Sequence, residues 1–335
     1  MLPHTRRLVS GLLQGDRASL SRAITLVESM LPAHRAEAEL LLQAVLQERT
    51  AAHAAAPPTV RVGIAGPPGA GKSSLIEALG LCILGESPSA RVAVVAVDPS
   101  SSRTGGSILG DKTRMGALSA HPRVYIRPSP ARGFLGGLAR ATHEVVQLCE
   151  GAGYGTVLVE TVGLGQSETA IEAAVDCTVL VLPPAAGDEL QGVKKGIVEC
   201  ADLIVVNKAD GSLENAALNA AVEYRNALGL SRGKHGSAWA PRVLTASAAT
   251  HAGVPQLWGA VQDFLATMAP ALAARRRAQA EEWMWGDFRE AVVKAAEGHP
   301  RVREQAERQR ELISRAATTP RSAARELLRA LQFPG

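Results

Sequence analysis

Gly66-Pro67-Pro68-Gly69-Ala70-Gly71-Lys72-Ser73 decides the fold of this chain, and Ser74 continues it. The spacing is G-x-x-x-x-G-K-[ST]. A valine-rich run, Val60 to Ala65, precedes it and a helical stretch opens near Lys72, which is the strand, loop and helix context that this spacing needs in order to hold phosphate. Glycines let successive backbone N–H groups close around an anion, and the helix N-terminus adds a favourable dipole. Lys72 then reaches the β- and γ-phosphates while the Ser73 hydroxyl is placed to ligate Mg²⁺. Outward from this loop, short apolar runs alternate with helical stretches: Val60 to Ala65, Val92 to Val97, Thr156 to Val159, Cys177 to Leu182, Leu203 to Val206 and Val243 to Ala246. Alternation of that kind predicts an α/β fold, a doubly wound and mostly parallel sheet with helices on both faces. Ligands on such sheets bind at the carboxyl ends of the strands, and every polar motif below begins at one.

Asn207-Lys208-Ala209-Asp210 follows the run Leu203 to Val206 and has the form N-K-x-D. A carboxylate there accepts both the ring N1–H and the exocyclic amino group of guanine, a donor pair that adenine lacks, so the motif points to GTP and GDP. Thr245-Ala246-Ser247-Ala248-Ala249, at the end of the last run, resembles the loop whose backbone completes a guanine pocket. Glu160-Thr161-Val162-Gly163 ends the run Thr156 to Val159. The Gly163 N–H is placed to meet the γ-phosphate and the Glu160 carboxylate to act on the metal through a water, so loss of that phosphate releases the segment.

The stretch Asp98 to Met115 leaves an apolar strand for hydroxyls, glycines and two carboxylates. Asp98 and Asp111 are therefore candidates for a further metal carboxylate, since Mg²⁺ keeps waters and takes one or two carboxylates besides phosphate oxygens. Asp98, at a strand end facing the phosphate loop, is the firmer choice. Arg103, Arg114, Arg127 and Arg132 lie near this face; each reads either as surface solvation or as an arginine finger on the transferring phosphate. Leu164 stands directly beyond Gly163 where many GTPases have glutamine, with Gln166 two residues further on. The segment Ala185 to Gly196 carries more charge and glycine than a connector needs. It reads either as a helix capped by Asp188 or as a contact for a partner.

With a net charge of +4 spread along the chain and 3% aromatic residues, neither a basic patch nor the stacking platforms of single-strand binders are present, which argues against nucleic acid. Cys82, Cys149, Cys177 and Cys200 lie in or beside apolar segments without Cys-x-x-Cys spacing, as reduced core thiols do. The start of the chain shows neither signal-peptide pattern nor apolar span, so a cytoplasmic protein that contacts no membrane is expected. Three regions follow: an N-terminal helical extension over 1–56, closed by the run Ala51 to Pro58, a phosphate-loop domain over 57–268, and an Ala- and Arg-rich helical arm over 269–335. In that arm Trp283, Met284, Trp285 and Phe288 cluster, as either a staple onto the main domain or an oligomer contact.

These motifs together resemble the MeaB/ArgK family of P-loop GTPases, whose human relative is the methylmalonic aciduria type A protein. The resemblance rests on Gly66 to Ser74, Val97 to Met115, Arg127 to Pro130, Glu160 to Glu168, Gly187 to Gly196 and Asn207 to Asp210. It spans about residues 60–250 strongly and the helical ends loosely; Ser74 stands where threonine is common. The resemblance implies a GTPase chaperone of adenosylcobalamin-dependent acyl-CoA mutases, which gates cofactor loading and protects or rescues the mutase, and a homodimer formed through the C-terminal arm. It also implies Mg²⁺-linked roles for Ser73, Asp98, Asp111 and Glu160, and a partner-sensing switch holding Asp188, Gln191 and Lys194. Three rival readings stand beside it. A nickel-insertion GTPase predicts His/Cys clusters, whereas His4, His53 and His121 are isolated. A kinase tied to amino-acid transport needs an acceptor site that the sequence does not offer. A nucleotide-stabilised scaffold hydrolyses negligible GTP.

Overall fold

The computed structural model describes residues 2–29, 31–52, 57–98, 115–130, 135–161, 171–184, 201–229, 235 and 238–331. Among them a seven-stranded sheet runs in the order β3-β2-β4-β1-β5-β6-β7 with every pairing parallel. The strands are β1 (Val60–Ala65), β2 (Val92–Asp98), β3 (Val124–Pro130), β4 (Thr156–Thr161), β5 (Cys177–Leu182), β6 (Leu203–Val206) and β7 (Arg242–Thr245).

Their apolar residues face both ways because side chains alternate along a strand. Val62, Ile64, Val94, Leu158 and Val179 pack on one face against Leu75, Ile76 and Leu79 of α4 (Lys72–Glu86) and Leu257, Val261 and Phe264 of α8 (Val254–Gly298). Ala93, Val95, Val157 and Val159 face the other way. They meet Val145 and Leu148 of α6 (Leu135–Gly151), together with Leu12, Leu20, Ile24 and Leu41 of the N-terminal helices α1 (Pro3–Leu13), α2 (Arg17–Val27) and α3 (Pro32–Ala52). Farther along that face, Leu180, Leu182, Ile204 and Val206 pack on Ala217 and Tyr224 of α7 (Glu214–Gly229). The N-terminal helices thus share a core with the sheet. Asp16 starts α2 by accepting hydrogen bonds from the N–H groups of Ala18 at 3.3 Å and Ser19 at 2.8 Å, the local device that a Gly-Asp break signals.

One strand was not among the runs read from the sequence: Val124–Pro130 is β3. Pro128 and Pro130 lack an N–H, which a central strand cannot tolerate but an edge strand can; among the described residues β3 is the edge, paired only with β2. The return to this strand passes through α5 (Gly116–Ala120), which α4 fixes in two ways. Glu77 Oε1 accepts from Ala117 N at 2.8 Å and Leu118 N at 3.2 Å. Gly80 leaves room for Leu118, to which an added Cβ would come within 2.8 Å.

At the amino ends of the strands two buried carboxylates are sealed by arginines. Glu150 of α6 accepts from Arg61 Nε at 2.6 Å and Nη2 at 3.0 Å, and pairs with Arg49 of α3. Asp176, just before β5, accepts from Arg61 N at 3.0 Å and from Arg276 Nε at 2.8 Å; Arg276 also donates to Thr59 O at 2.6 Å. Burial works to raise the Glu150 pKa, but the Arg61 hydrogen bond and the charges of Arg61, Arg49 and Arg276 outweigh it and hold the carboxyl below its ordinary value.

The chain divides into two compact units, Met1–Arg276 and Arg277–Gly335. Taken by itself, the second comprises the remainder of α8, α9 (Pro300–Ser314) and α10 (Pro320–Ala330). Its buried residues are Gln279, Val302, Gln309 and Ala323, while Met284, Trp285 and Phe288 are each more than half exposed.

Candidate functional site: a guanine-nucleotide pocket

β1 lies between β4 and β5, so its carboxyl end opens at the middle of the sheet. Gly66 leaves the strand pressed against β5, where a Cβ would come within 2.1 Å of Val181 O. Gly71 caps α4 at φ +86°, and a Cβ on it would lie 2.6 Å from Asn207 Nδ2. These two positions need glycine for close approach and, at Gly71, for a left-handed backbone. The loop they bracket delivers its N–H groups and the start of a 15-residue helix to one point, the arrangement that binds phosphate.

Lys72 is buried, and its Nζ donates to Gly66 O at 2.9 Å and Pro67 O at 3.1 Å. Burial lowers its pKa, an effect that the nearby Glu160 charge offsets only in part. Ser73 Oγ donates to Glu160 Oε1 at 2.9 Å. Glu160, itself 5% exposed, is level with Ile64 of β1 and Ala96 of β2, so β4 carries the carboxylate to the phosphate loop between its two neighbours. Two residues beyond Ala96, the Asp98 backbone pairs with Pro130 at the carboxyl end of β2. Glu160 and Asp98 therefore lie at the carboxyl ends of adjacent strands. Ser74, also expected at the nucleotide, faces solvent.

The base side is a second knot of backbone. Asn207 Nδ2 donates to Ala70 O at 2.9 Å and Gly71 O at 3.3 Å, and its Oδ1 accepts from Ala248 N at 3.2 Å. The phosphate loop, the Asn207 to Asp210 loop and the Ser247-Ala248-Ala249 loop are thus bonded to each other. Ala209 N donates to Ala246 O at 3.0 Å, and Ser247, fully buried, accepts from Thr250 N at 3.1 Å through its Oγ. Lys208 holds φ +59° and is exposed, leaving half-buried Asp210 at the rim.

Of the arginines proposed as fingers, Arg127 is engaged elsewhere. It forms an ion pair with Glu28 at the end of α2, and burial, which opposes its charge, is outweighed by the Glu28 hydrogen bond and charge, so its pKa is raised. Arg103, Arg114 and Arg132 fall outside the described residues, as do Asp111, Gly163, Gln166, Asp188, Gln191 and Lys194. Sequence reasoning missed Glu28 and Glu77. Glu77 had a weak signal, standing one helical turn after Ser73 with a short helix to cap; Glu28, 99 residues from its partner, had none.

Comparison with known proteins places this pocket. A sequence model described as "Methylmalonyl Co-A mutase-associated GTPase MeaB" matches residues 20–301. The "Methylmalonic aciduria type A homolog, mitochondrial" of Mus musculus is 46% identical over 331 residues, covering 97% of this chain and 79% of the mouse protein. The "GTPase ArgK" of Escherichia coli is 45% identical over 284 residues, covering 84% and 83%. A crystal structure described as "LAO/AO transport system kinase" superposes with a TM-score of 0.76 at 34% identity, covering 99% of both chains. The pocket's phosphate and base sides thus occur in a chain that matches a GTPase family over most of its length, so the protein binds guanine nucleotide, hydrolyses GTP, and belongs to the methylmalonyl-CoA mutase-associated GTPase family MeaB.

Proposed function

We propose that this GTPase is a switch serving an adenosylcobalamin-dependent acyl-CoA mutase, gating cofactor loading and protecting or reactivating the enzyme. The observation that carries the switch is the 2.9 Å hydrogen bond from Ser73 Oγ to Glu160 Oε1. It ties the phosphate loop to the residue that opens Glu160-Thr161-Val162-Gly163, so whatever engages the γ-phosphate side of the loop acts on that segment too. The partner is supported by the family's description and by the name of the mouse relative.

Ser73 and Glu160 offer hydroxyl and carboxylate oxygens, the donor set that suits a hard divalent cation. In this reading they would hold Mg²⁺ with Asp98 and Asp111, and bound Mg²⁺ would supply positive charge against the phosphates. Lys72 balances the remaining phosphate charge. A water oxygen bonds to the γ-phosphorus while the bond to the β,γ-bridging oxygen breaks, and the water's proton ends on the released phosphate. The loop's N–H groups and Lys72 stabilise the charge that grows on the departing GDP. Asp188, Gln191 and Lys194 are the residues proposed to report this state to the mutase.

Two measurements test the reading. Lys72→Ala is expected to abolish phosphate release from GTP, and wild-type turnover in that variant overturns the site. The protein is expected to co-purify with a cobalamin-binding mutase subunit in one nucleotide state more than in the other; no binding in either state overturns the partner. A kinase activity, which the name of the solved relative suggests, predicts label from γ-phosphate on a protein acceptor instead of in inorganic phosphate.

A further inference from the structure

The edge strand β3 ends in Arg127-Pro128-Ser129-Pro130, and its prolines leave it without N–H donors at alternate positions. Among the described residues, a carboxylate from the N-terminal helices grips this end beside its pairing with β2. Glu28, the residue that ends α2, accepts from Ser129 Oγ at 2.7 Å and from Arg127 Nε at 3.4 Å, and forms an ion pair with Arg127 Nη2. Thr25 Oγ1, one turn earlier, lies 3.4 Å from Arg127 Nη2. The Glu28 side chain is 9% exposed and that of Arg127 21%, and Ser129 is buried. The pair is therefore largely shielded from solvent and fixes its geometry firmly.

The register shows what this clamp touches next. Val97 pairs with Ser129 and Asp98 with Pro130, so the residues gripped by Glu28 lie beside the last residues of β2. Among the described residues, the strand beside Asp98 on that side is β3, the sheet's edge. We propose that Glu28 is a positioning residue for the GTPase centre: it sets the carboxyl end of β3, and through the β3–β2 pairing it sets the Asp98 backbone at the metal side of the pocket. The inference rests on the reading of Asp98 as a Mg²⁺-linked carboxylate. It makes the N-terminal helices a part of the nucleotide site's support.

The test compares Glu28→Ala, Glu28→Gln and Asp98→Asn in the full chain by two readouts, the release rate of a fluorescent GTP analogue in Mg²⁺ and in EDTA, and the Mg²⁺ concentration for half-maximal GTP hydrolysis. Loss of an outer support typically weakens metal binding by about tenfold or more, so Glu28→Ala is expected to raise that Mg²⁺ concentration and speed release in Mg²⁺ by about tenfold. Release in EDTA should stay near the wild-type rate. Glu28→Gln, which keeps an acceptor for Ser129 but loses the charge, should fall between the two, and it carries the test if the alanine variant does not fold. Wild-type Mg²⁺ dependence in both Glu28 variants, with Asp98→Asn impaired, overturns the role of Glu28 alone. Wild-type Mg²⁺ dependence in Asp98→Asn overturns the reading of Asp98 and the proposed route with it. Equal acceleration in Mg²⁺ and EDTA shows a merely structural clamp and also overturns the proposal.

Discussion

Asn207 spends its whole amide on the protein. Its nitrogen reaches two carbonyls of the phosphate loop and its oxygen takes the Ala248 N–H, so on the proposed reading the base is left to Asp210. Asn207→Ala strands those partners, at a cost of about 1–3 kcal/mol, and is expected to weaken GDP binding by about tenfold to a hundredfold. Titration with a fluorescent GDP analogue checks this; wild-type affinity in the variant would show that the three loops align without the amide. Lys72, Ser73, Glu160 and Asn207 were legible in the sequence because each sits at a fixed offset from a strand end. The ion pair between Glu28 and Arg127 was not, because its partners are brought together by packing and leave no spacing to read. Arg127 accordingly looked like a free cation near the phosphates, and the fold gives it a carboxylate instead.

At the scale of elements, β1, β5 and β6 were legible to the residue, since a short, mainly apolar run that ends at a polar motif has few other readings. β3 was hidden by its prolines, which mark a loop unless the strand is known to lie at an edge, and edge position is a property of the assembled sheet. The buried face of α6 carries a further consequence. Burial, aided by the Arg61 charge and opposed by that of Glu150, pushes the His143 pKa down to about 4. An unfolded chain holds a proton on this ring up to about pH 6.5, so between those values the unfolded state binds the extra proton and stability falls as pH falls. Because the ring is only half-buried, we expect a loss of about 2 kcal/mol across that window. His143→Gln should flatten it in urea unfolding followed stepwise in pH, and an unchanged slope would assign the effect to other groups.

For the whole molecule, the pattern of alternating runs foretold a parallel sheet covered on both faces, but it did not foretell that α1, α2 and α3 complete one of those layers. Amphipathic periodicity shows that a helix has a buried face without saying which surface buries it. In the second unit Trp285, Phe288 and Val292 recur at helical spacing and stand exposed, a stripe that suits a second copy of the chain. On the dimer reading, Trp285→Glu with Phe288→Glu should weaken self-association by at least about thirtyfold, as loss of a hot spot of about 2 kcal/mol does. Sedimentation velocity over a concentration series measures it. A wild-type protein that is monomeric throughout, or a variant that still dimerises, removes the stripe from consideration.

The arginines at the amino ends of the strands also bear on how this GTPase can be borrowed. The side chains of Glu150 and Asp176 are fully buried, and the cations opposite them come from α3, β1 and α8. Cut out as residues 57–268, the fold would keep Arg61 but leave behind Arg49 and Arg276. Asp176 would lose its only salt-bridge partner among the described residues, and a buried charge stripped of its partner costs about 3–5 kcal/mol. The sheet and its loops are therefore not a cartridge to be fused to another protein. Transplanting the GTPase means taking the chain from α1 through at least Arg276.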